Sequence, residues 1–281
     1  MERSLGLMCG AGVLPARMAA EARRQGWRVI AFTFDEAPGI EAYADRAIAS
    51  RFTELGPVLE ALGDERVSAA LFAGTFRLGD VVRARHADAA ARFIVATAGS
   101  LTDRRLSGVV VATLAGRGID VLDQRAFLAD WLVAAGCWSE RQPTGEEWSD
   151  LRQGLRLARA CADTGIGQTV VVKHGVVAAV EALEGTTAAI QRGAELAGPG
   201  AVVVKAVGSQ NDYRFDVPAI GPDTIDAAAA GGATVVAIEA GRVLLVERET
   251  LMARANRAGI AVAAVDGPAA ADGNLADPAA R

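Results

Sequence analysis

Short apolar runs separated by helical patterns fill the first half of the chain. Apolar runs predict strands at 5–10, 28–34, 46–50, 67–74 and 118–123, and amphipathic stretches predict helices at 13–25, 54–63, 78–96 and 101–117. This alternation predicts an α/β domain with a Rossmann-like, mostly parallel sheet and helices on both faces. Ligands of such sheets bind at the carboxyl ends of the strands, which here are near Gly10, Gly12 and Gly74.

The second half is predicted to be another α/β domain, with a mixed sheet. The polar stretch 137–150 contains proline and glycine, so we interpret it as a linker between an N-terminal domain at 1–136 and a C-terminal domain at 151–281. Apolar runs at 169–173 and 176–181 flank His174-Gly175, which is typical of a two-residue hairpin turn. Helices are predicted at 147–163, 186–197, 222–230 and 249–258, and further strands at 201–206, 233–241, 242–248 and 260–267.

Composition and charge narrow the class of protein. The chain has 281 residues, 51% of them hydrophobic and 22% charged, which is typical of a globular protein with room for two cores. A net charge of −5 argues against nucleic acid as an electrostatic partner. Three separated cysteines and two histidines argue against a disulfide framework or a zinc site. No run of 18 apolar residues is present, so we expect a cytoplasmic protein without a membrane span.

Gly10-x-Gly12 follows a predicted strand and opens a predicted helix, where backbone N–H groups can bind a phosphate. The third glycine of a dinucleotide fingerprint is replaced by Pro15, which disfavours a nicotinamide enzyme. A plain strand-to-helix turn is the alternative.

Two further candidate sites lie at the start of a predicted helix and at the end of a predicted strand. Gly185-Thr186 precedes a predicted helix, where it either caps the helix or forms an oxyanion cradle. Lys205 ends an apolar strand and either binds a phosphate or is a solvated strand end.

The stretch NDYRFDVPAIGPDT, at 211–224, carries the most chemistry. Alternation over 213–217 favours a short strand whose polar face presents Asp212, Arg214 and Asp216. A carboxylate beside an arginine stays ionised, so Asp216 could hold Mg²⁺ or orient a water molecule. A structural arginine–aspartate pair is the alternative.

An ordered set of motifs resembles one family along nearly the whole chain. The motifs are GLMCGAGVLP at 6–15, LFAG at 71–74, GIGQTVVV at 165–172, VVAAVEALEGTTAAIQR at 176–192, VVVKA at 202–206 and RFDVPAIGPDTI at 214–225. Together they resemble the LpxI family, the UDP-2,3-diacylglucosamine pyrophosphatases of lipid A biosynthesis.

The resemblance implies an activity, a cofactor and a set of residues. The family hydrolyses UDP-2,3-diacylglucosamine to UMP and 2,3-diacylglucosamine 1-phosphate with Mg²⁺ or a similar ion, and holds the substrate between its two domains. Asp216 falls on the family's essential aspartate in R-x-D-x-P-x-I-G, and Asp212 is a second expected metal ligand. Lys205 and Arg214 would stabilise charge on the phosphates. The expected substrate-binding residues are Gly10, Gly12, Gly74, Gln168, Gly185, Thr186 and Asn211. Peripheral contact with the inner membrane and a homodimer are further expectations.

The chain departs from the family pattern at several positions. Gly165 and Thr187 stand where the family usually has aspartate, Thr75 where it has asparagine and Asn211 where it has glutamine. The usual Pro-Arg-Gly segment between the domains is also missing. A catalytically weakened member that binds a nucleotide-sugar or acylated sugar phosphate without turnover is therefore the alternative to an active hydrolase.

Overall fold

The computed structural model describes residues 3–76, 87–99 and 103–267. The chain divides into two compact units: Met1–Leu128 with Asp212–Asp216, and Ala129–Asn211 with Val217–Arg281. Within the described ranges, no helix is both long enough and apolar enough to cross a membrane.

The first unit contains a five-stranded parallel sheet in the order β3-β2-β1-β4-β5. Its strands are β1 (Ser4–Cys9), β2 (Arg28–Thr33), β3 (Arg46–Ala49), β4 (Ala69–Ala73) and β5 (Asp120–Val121). Its helices are α1 (Leu14–Arg24), α2 (Leu55–Asp64), α3 (Ala89–Ala98) and α4 (Asp103–Ala115). The predicted Rossmann-like parallel sheet is confirmed; part of the helix predicted at 78–96 lies outside the described residues.

The central strands β1, β2 and β4 are buried on both faces, whereas the edge strands β3 and β5 are more exposed. Successive side chains of a strand point to opposite faces of the sheet. One face carries Met8, Ile30 and Phe32, which pack against Leu62 of α2 and Leu114 of α4. Leu5 and Leu7 of β1 and Val29 and Ala31 of β2 are fully buried on the opposite face, where α1 contacts the sheet. Apolar side chains at every strand position are expected for a sheet covered on both sides.

The second unit contains a six-stranded mixed sheet in the order β6-β13-β11-β9-β7-β8. These strands are β6 (Gly136–Cys137), β7 (Thr169–Lys173), β8 (Val176–Val180), β9 (Val202–Lys205), β11 (Val235–Glu239) and β13 (Ala261–Val265). Strands β9, β11 and β13 are mutually parallel, whereas β6, β7 and β8 pair antiparallel. The helices are α5 (Gly145–Thr164), α6 (Thr186–Ala197), α7 (Pro222–Ala230) and α8 (Arg248–Ala258).

Helices α5 and α6 pack on opposite faces of this sheet. Leu151 and Leu155 of α5 share a core cluster with Val170 and Val204. On the other face Val171 lies against Gly193 of α6, where an added Cβ would be 2.6 Å from its side chain. Thr169 and Lys205 are cross-strand partners in register with Val171, so their side chains share the α6 face.

Two expectations from the sequence differ from the structure. The run 242–248 does not form a strand beside β11: only β12 (Leu244–Leu245) is extended, and it pairs in parallel with β10 (Ala219–Ile220) in a separate small sheet. The polar stretch 137–150 is built into the second unit, because Cys137 pairs with β13 and Thr144 caps α5. Its polar residues serve a helix terminus, where Glu147 completes a capping box.

Candidate functional site

The glycine turn after β1 uses its backbone amides inside the protein. The amide of Gly10 donates to the Ala73 carbonyl over 2.8 Å, that of Ala11 to Thr75 over 2.9 Å, and that of Gly12 to Glu36 over 3.1 Å. The predicted free donors for a phosphate are therefore engaged by neighbouring loops.

The close approach of two loops explains why glycine is needed here. A Cβ on Gly10 would lie 2.5 Å from the Thr75 carbonyl oxygen, and one on Gly74 would lie 2.6 Å from the Ala11 oxygen. Real Cβ atoms do not come this close to backbone oxygens, so the packing requirement by itself accounts for both glycines. The plain strand-to-helix turn is the reading that this geometry favours.

A buried polar cluster lies at the end of β9 in the second unit. The Lys205 side chain is buried, with 7% of the residue exposed, and its Nζ donates to the Thr186 hydroxyl over 2.9 Å. That hydroxyl donates in turn to Glu181 Oε1 over 2.7 Å. The other oxygen of Glu181 accepts from the backbone amide of Gln168 over 3.3 Å. Lys205 is therefore a buried, anchored cation and not a solvated strand end.

Helix α6 begins beside this ammonium group. Its N-cap residue is Gly185, with φ 82° and ψ 170°, a region that essentially only glycine occupies. Among the described residues no side chain caps this helix, so of the two alternatives for Gly185-Thr186 the side-chain cap is not formed. Thr186 is the first residue of the helix and not its N-cap, and its hydroxyl accepts from Lys205 Nζ and donates to Glu181. A helix N-terminus carries a partial positive charge, which adds to that of Lys205 and favours an anion.

Residues 212–216 form a turn and not the predicted strand. The amides of Phe215 and Asp216 both donate to the Asp212 carbonyl, over 3.0 and 3.1 Å. The Asp212 carboxylate accepts from the Arg214 amide over 3.1 Å, from Nε over 2.8 Å and from Nη2 over 2.7 Å. An aspartate that binds the backbone two residues later favours a turn over an extended chain.

The ion pair in this turn perturbs both of its partners. The side-chain hydrogen bond from Arg214 holds the pKa of the Asp212 carboxyl below its usual range. The same bond raises the pKa of Arg214. The expected structural arginine–aspartate pair is thus present, but it joins Arg214 to Asp212.

Residues of the first unit that the sequence did not single out hold this turn. The amide of Gln124 donates to the Tyr213 carbonyl over 3.0 Å, and its side chain donates to the Arg214 carbonyl over 3.3 Å. Arg125 lies over the Tyr213 ring at 3.8 Å, and the rings of Phe72 and Phe215 are 4.7 Å apart. These contacts are distant in sequence, and no local motif marks them.

A buried carboxylate holds the chain segment that leads from β9 towards this turn. Glu239 is 1% exposed and accepts from Arg159 over 2.6 Å, from Arg242 over 2.8 Å and from the Val207 amide over 3.0 Å. Burial raises the pKa of such a carboxyl, but the hydrogen bonds from Arg159, Val207 and Arg242 outweigh it and lower the pKa of Glu239. Its position at the end of an apolar strand, like that of Lys205, is a signal that could have identified it.

Gln168 and Asn211, the remaining predicted binding residues, form backbone hydrogen bonds. The Gln168 carbonyl accepts from the Ala206 amide over 2.9 Å, which ties the start of β7 to the end of β9. The Asn211 amide donates to the Gly208 carbonyl over 3.4 Å. In the described part of the chain, no group of three or more histidine, cysteine, aspartate or glutamate side chains could hold a metal ion.

The residues present fit Mg²⁺ only in a limited way. Mg²⁺ is commonly held by one or two carboxylates, and water and substrate phosphates complete its coordination. Asp212 and Asp216 lie one turn apart, but the Asp212 oxygens already accept three hydrogen bonds from Arg214. The donor set suits an ion brought in with a phosphate and not a site built wholly by the protein.

Comparisons with known proteins agree with the two-unit architecture. The model of the LpxI N-terminal domain matches residues 4–131, and that of the LpxI C-terminal domain matches residues 134–263. The UDP-2,3-diacylglucosamine pyrophosphatase LpxI of Caulobacter vibrioides is 32% identical, in an alignment that covers 94% of this chain and 98% of the relative.

Solved structures resemble the chain only weakly. N5-carboxyaminoimidazole synthetase from Staphylococcus aureus gives a TM-score of 0.25 at 14% identity, over 62% of this chain and 40% of that one. Glycinamide-RNase-transformylase T from Mycobacterium tuberculosis gives 0.26 at 16% identity, over 70% and 44%. Scores this low do not bear on function. The two domain matches and the similarity to the full-length relative show that the chain belongs to the LpxI family.

Proposed function

We propose that this chain hydrolyses the pyrophosphate bond of UDP-2,3-diacylglucosamine, releasing UMP and 2,3-diacylglucosamine 1-phosphate in lipid A biosynthesis. The observation that carries the proposal is the full-length similarity to the Caulobacter vibrioides relative, whose name states this activity. A cytoplasmic location with peripheral contact to the inner membrane is part of the same proposal.

In the second unit, Lys205 and the N-terminus of α6 would bind a phosphate of the substrate. The buried ammonium group and the amides of the first helical turn lie at the same place in the fold. A pyrophosphate gains negative charge on its leaving phosphate as the bond breaks, and fixed positive charge in a buried site stabilises that change.

In the first unit, Arg214 and Asp216 would act on the reacting phosphates. The ion pair with Asp212 fixes the Arg214 guanidinium, so that little rotamer entropy is lost when it binds a phosphate oxygen. Asp216 would orient the attacking water and, with Asp212, hold Mg²⁺. When bound, that ion would neutralise charge on the pyrophosphate oxygens.

The departure at Gly165 has a structural explanation. Gly165 ends α5 in the left-handed conformation, with φ 75° and ψ 20°, and its amide donates to the Ala162 carbonyl over 3.1 Å. Glycine is favoured at this position of a helix end, so replacing the family's aspartate supports the fold. The departure at Thr187 has no such explanation in the structure.

The test is UMP release from UDP-2,3-diacylglucosamine, with and without Mg²⁺, by the wild type, Asp216→Asn and the exposed-residue control Glu195→Gln. We expect metal-dependent release by the wild type and the control, and a loss of at least about 100-fold in Asp216→Asn. A folded wild type that binds the substrate without releasing UMP would instead support the non-catalytic alternative.

A further inference from the structure

Glu181 connects to Lys205 through a single hydroxyl group. Lys205 Nζ donates to Thr186 Oγ1, and Thr186 Oγ1 donates to Glu181 Oε1, over 2.9 and 2.7 Å. A hydroxyl has one proton to give. Because Glu181 takes that proton, the lone pairs of the hydroxyl are left to face the ammonium group. The carboxylate therefore determines the orientation of the Thr186 hydroxyl relative to Lys205 Nζ.

Only a carboxylate satisfies both donors that converge on Glu181. Its second oxygen accepts from the Gln168 amide over 3.3 Å. A glutamine side chain has one acceptor oxygen and one donor nitrogen. If the nitrogen faced the Gln168 amide, two donors would meet; if it faced Thr186, it would donate to the hydroxyl, whose proton would then have to turn away from residue 181. Glutamine therefore lacks the two acceptor oxygens that Glu181 provides.

The backbone of Glu181 is held firmly in place. Its amide donates to the Thr169 carbonyl over 2.8 Å, and Thr169 is the cross-strand partner of Lys205. Its carbonyl lies so close to Gly167 that an added Cβ there would be 2.1 Å from the oxygen. Glu181 and Lys205 are thus both held against Thr169 of β7, and the Thr186 hydroxyl joins their side chains.

We propose that Glu181 is a positioning residue, which holds the Lys205 ammonium group in place through the Thr186 hydroxyl. The role of Lys205 in binding phosphate, and hence the effect of Glu181 on turnover, rests on the proposed function. The positioning of the Lys205 ammonium group by Glu181 does not depend on that function.

A double-mutant cycle on kcat/KM for UMP release tests the effect on turnover, using wild type, Glu181→Gln, Lys205→Met and the double variant. Loss of one hydrogen bond to a charged group predicts a decrease of about 10-fold for Glu181→Gln in the wild-type background. In the Lys205→Met background the same substitution should cost less than about 2-fold, because the group it positions is gone. Equal costs in both backgrounds would overturn the proposal. Glu195→Gln, an exposed change on α6, is the matched control.

A second measurement does not depend on activity. The chain has only Lys173 and Lys205 as lysines, so ¹⁵N-lysine labelling gives two ammonium signals. Glu181→Gln should speed hydrogen exchange of the Lys205 ammonium protons by about 10-fold. The Lys173 signal should not change, because Lys173 donates to the Ala197 and Pro199 carbonyls instead.

An unchanged Lys205 exchange rate would overturn the positioning role even if the variant lost activity. If the wild type released no UMP, the proposed function would fail, and the exchange measurement would still decide the role of Glu181. Urea unfolding of each variant confirms that the compared proteins are folded.

Discussion

Arg214 and Asp212 form a two-point ion pair within one turn, with Nε 2.8 Å and Nη2 2.7 Å from the two carboxylate oxygens. The pair is partly exposed, so it contributes little to stability. Its consequence is geometric, since it fixes the direction of the Arg214 guanidinium.

Asp212→Ala should therefore lower kcat/KM for UMP release by about 10-fold or more while leaving the urea midpoint nearly unchanged. Asp212→Asn should keep part of the activity, because its side-chain oxygen still accepts one hydrogen bond. Asp64→Asn, an exposed carboxylate at the end of α2, is the control. A large loss of stability with unchanged kinetics would contradict this interpretation.

Glu239→Gln should destabilise the protein by about 3 kcal/mol at neutral pH, because it leaves two arginines without their buried counter-charge. The pKa of Glu239 is lowered in the folded state, so its stabilising effect is complete above the ordinary glutamate pKa. That effect is lost as the pH falls through the lowered value. Urea unfolding at pH 7 and below about pH 4 should show the difference from wild type narrowing in acid. A difference that does not depend on pH would contradict the assignment.

Thr169 carries a buried hydroxyl that has no hydrogen-bond partner among the described residues. Thr169→Val should raise the free energy of unfolding by about 1 kcal/mol, since it removes an unsatisfied polar group without changing shape. Thr234→Val is the matched control and should lose stability, because the Thr234 hydroxyl donates to Glu147 over 2.5 Å. A loss in Thr169→Val would indicate that a buried water binds this hydroxyl.

Gly10→Ala and Gly12→Ala separate a packing glycine from a ligand-binding one. The Cβ added at Gly10 meets the Thr75 carbonyl, so we expect a loss of about 2–3 kcal/mol in unfolding free energy. Gly12 has open space around it, so Gly12→Ala should lower the unfolding free energy by only about 1 kcal/mol. This loss arises because the φ of 103° is unfavourable for alanine. Substrate affinity that falls in either variant at unchanged stability would restore the phosphate-binding role.

Local signals in the sequence were enough to predict many of the elements. The helix at 222–230 is bounded by Gly221-Pro222 and Gly231, and the structure has it at Pro222–Ala230. His174-Gly175 joins β7 to β8 as predicted, and both residues have positive φ. Period, cap and turn signals act over a few residues, which is why they can be recognised without the fold.

The features of the fold and the site that the sequence did not predict depend on contacts between residues far apart in the chain. The turn at 212–216 alternates like a strand, but it is held by Gln124 and Arg125, which are far away along the chain. The sequence suggests that the Gly10 and Gly12 amides can bind a phosphate, but they donate to the carbonyls of Ala73 and Glu36, which are distant in sequence. Glu181 was missed because its role depends on Thr186 and Lys205 meeting it across a strand and a helix.

The grouping of Asp212–Asp216 with the first unit has a consequence for dissection of the protein. A fragment that ends at Leu128 lacks the turn with Arg214 and Asp216, so it is missing part of its own unit. A fragment that begins at Ala129 carries that turn without Gln124 and Arg125, which hold it. The first unit cannot be produced by itself from one continuous stretch of gene, and fragment studies would need both pieces together.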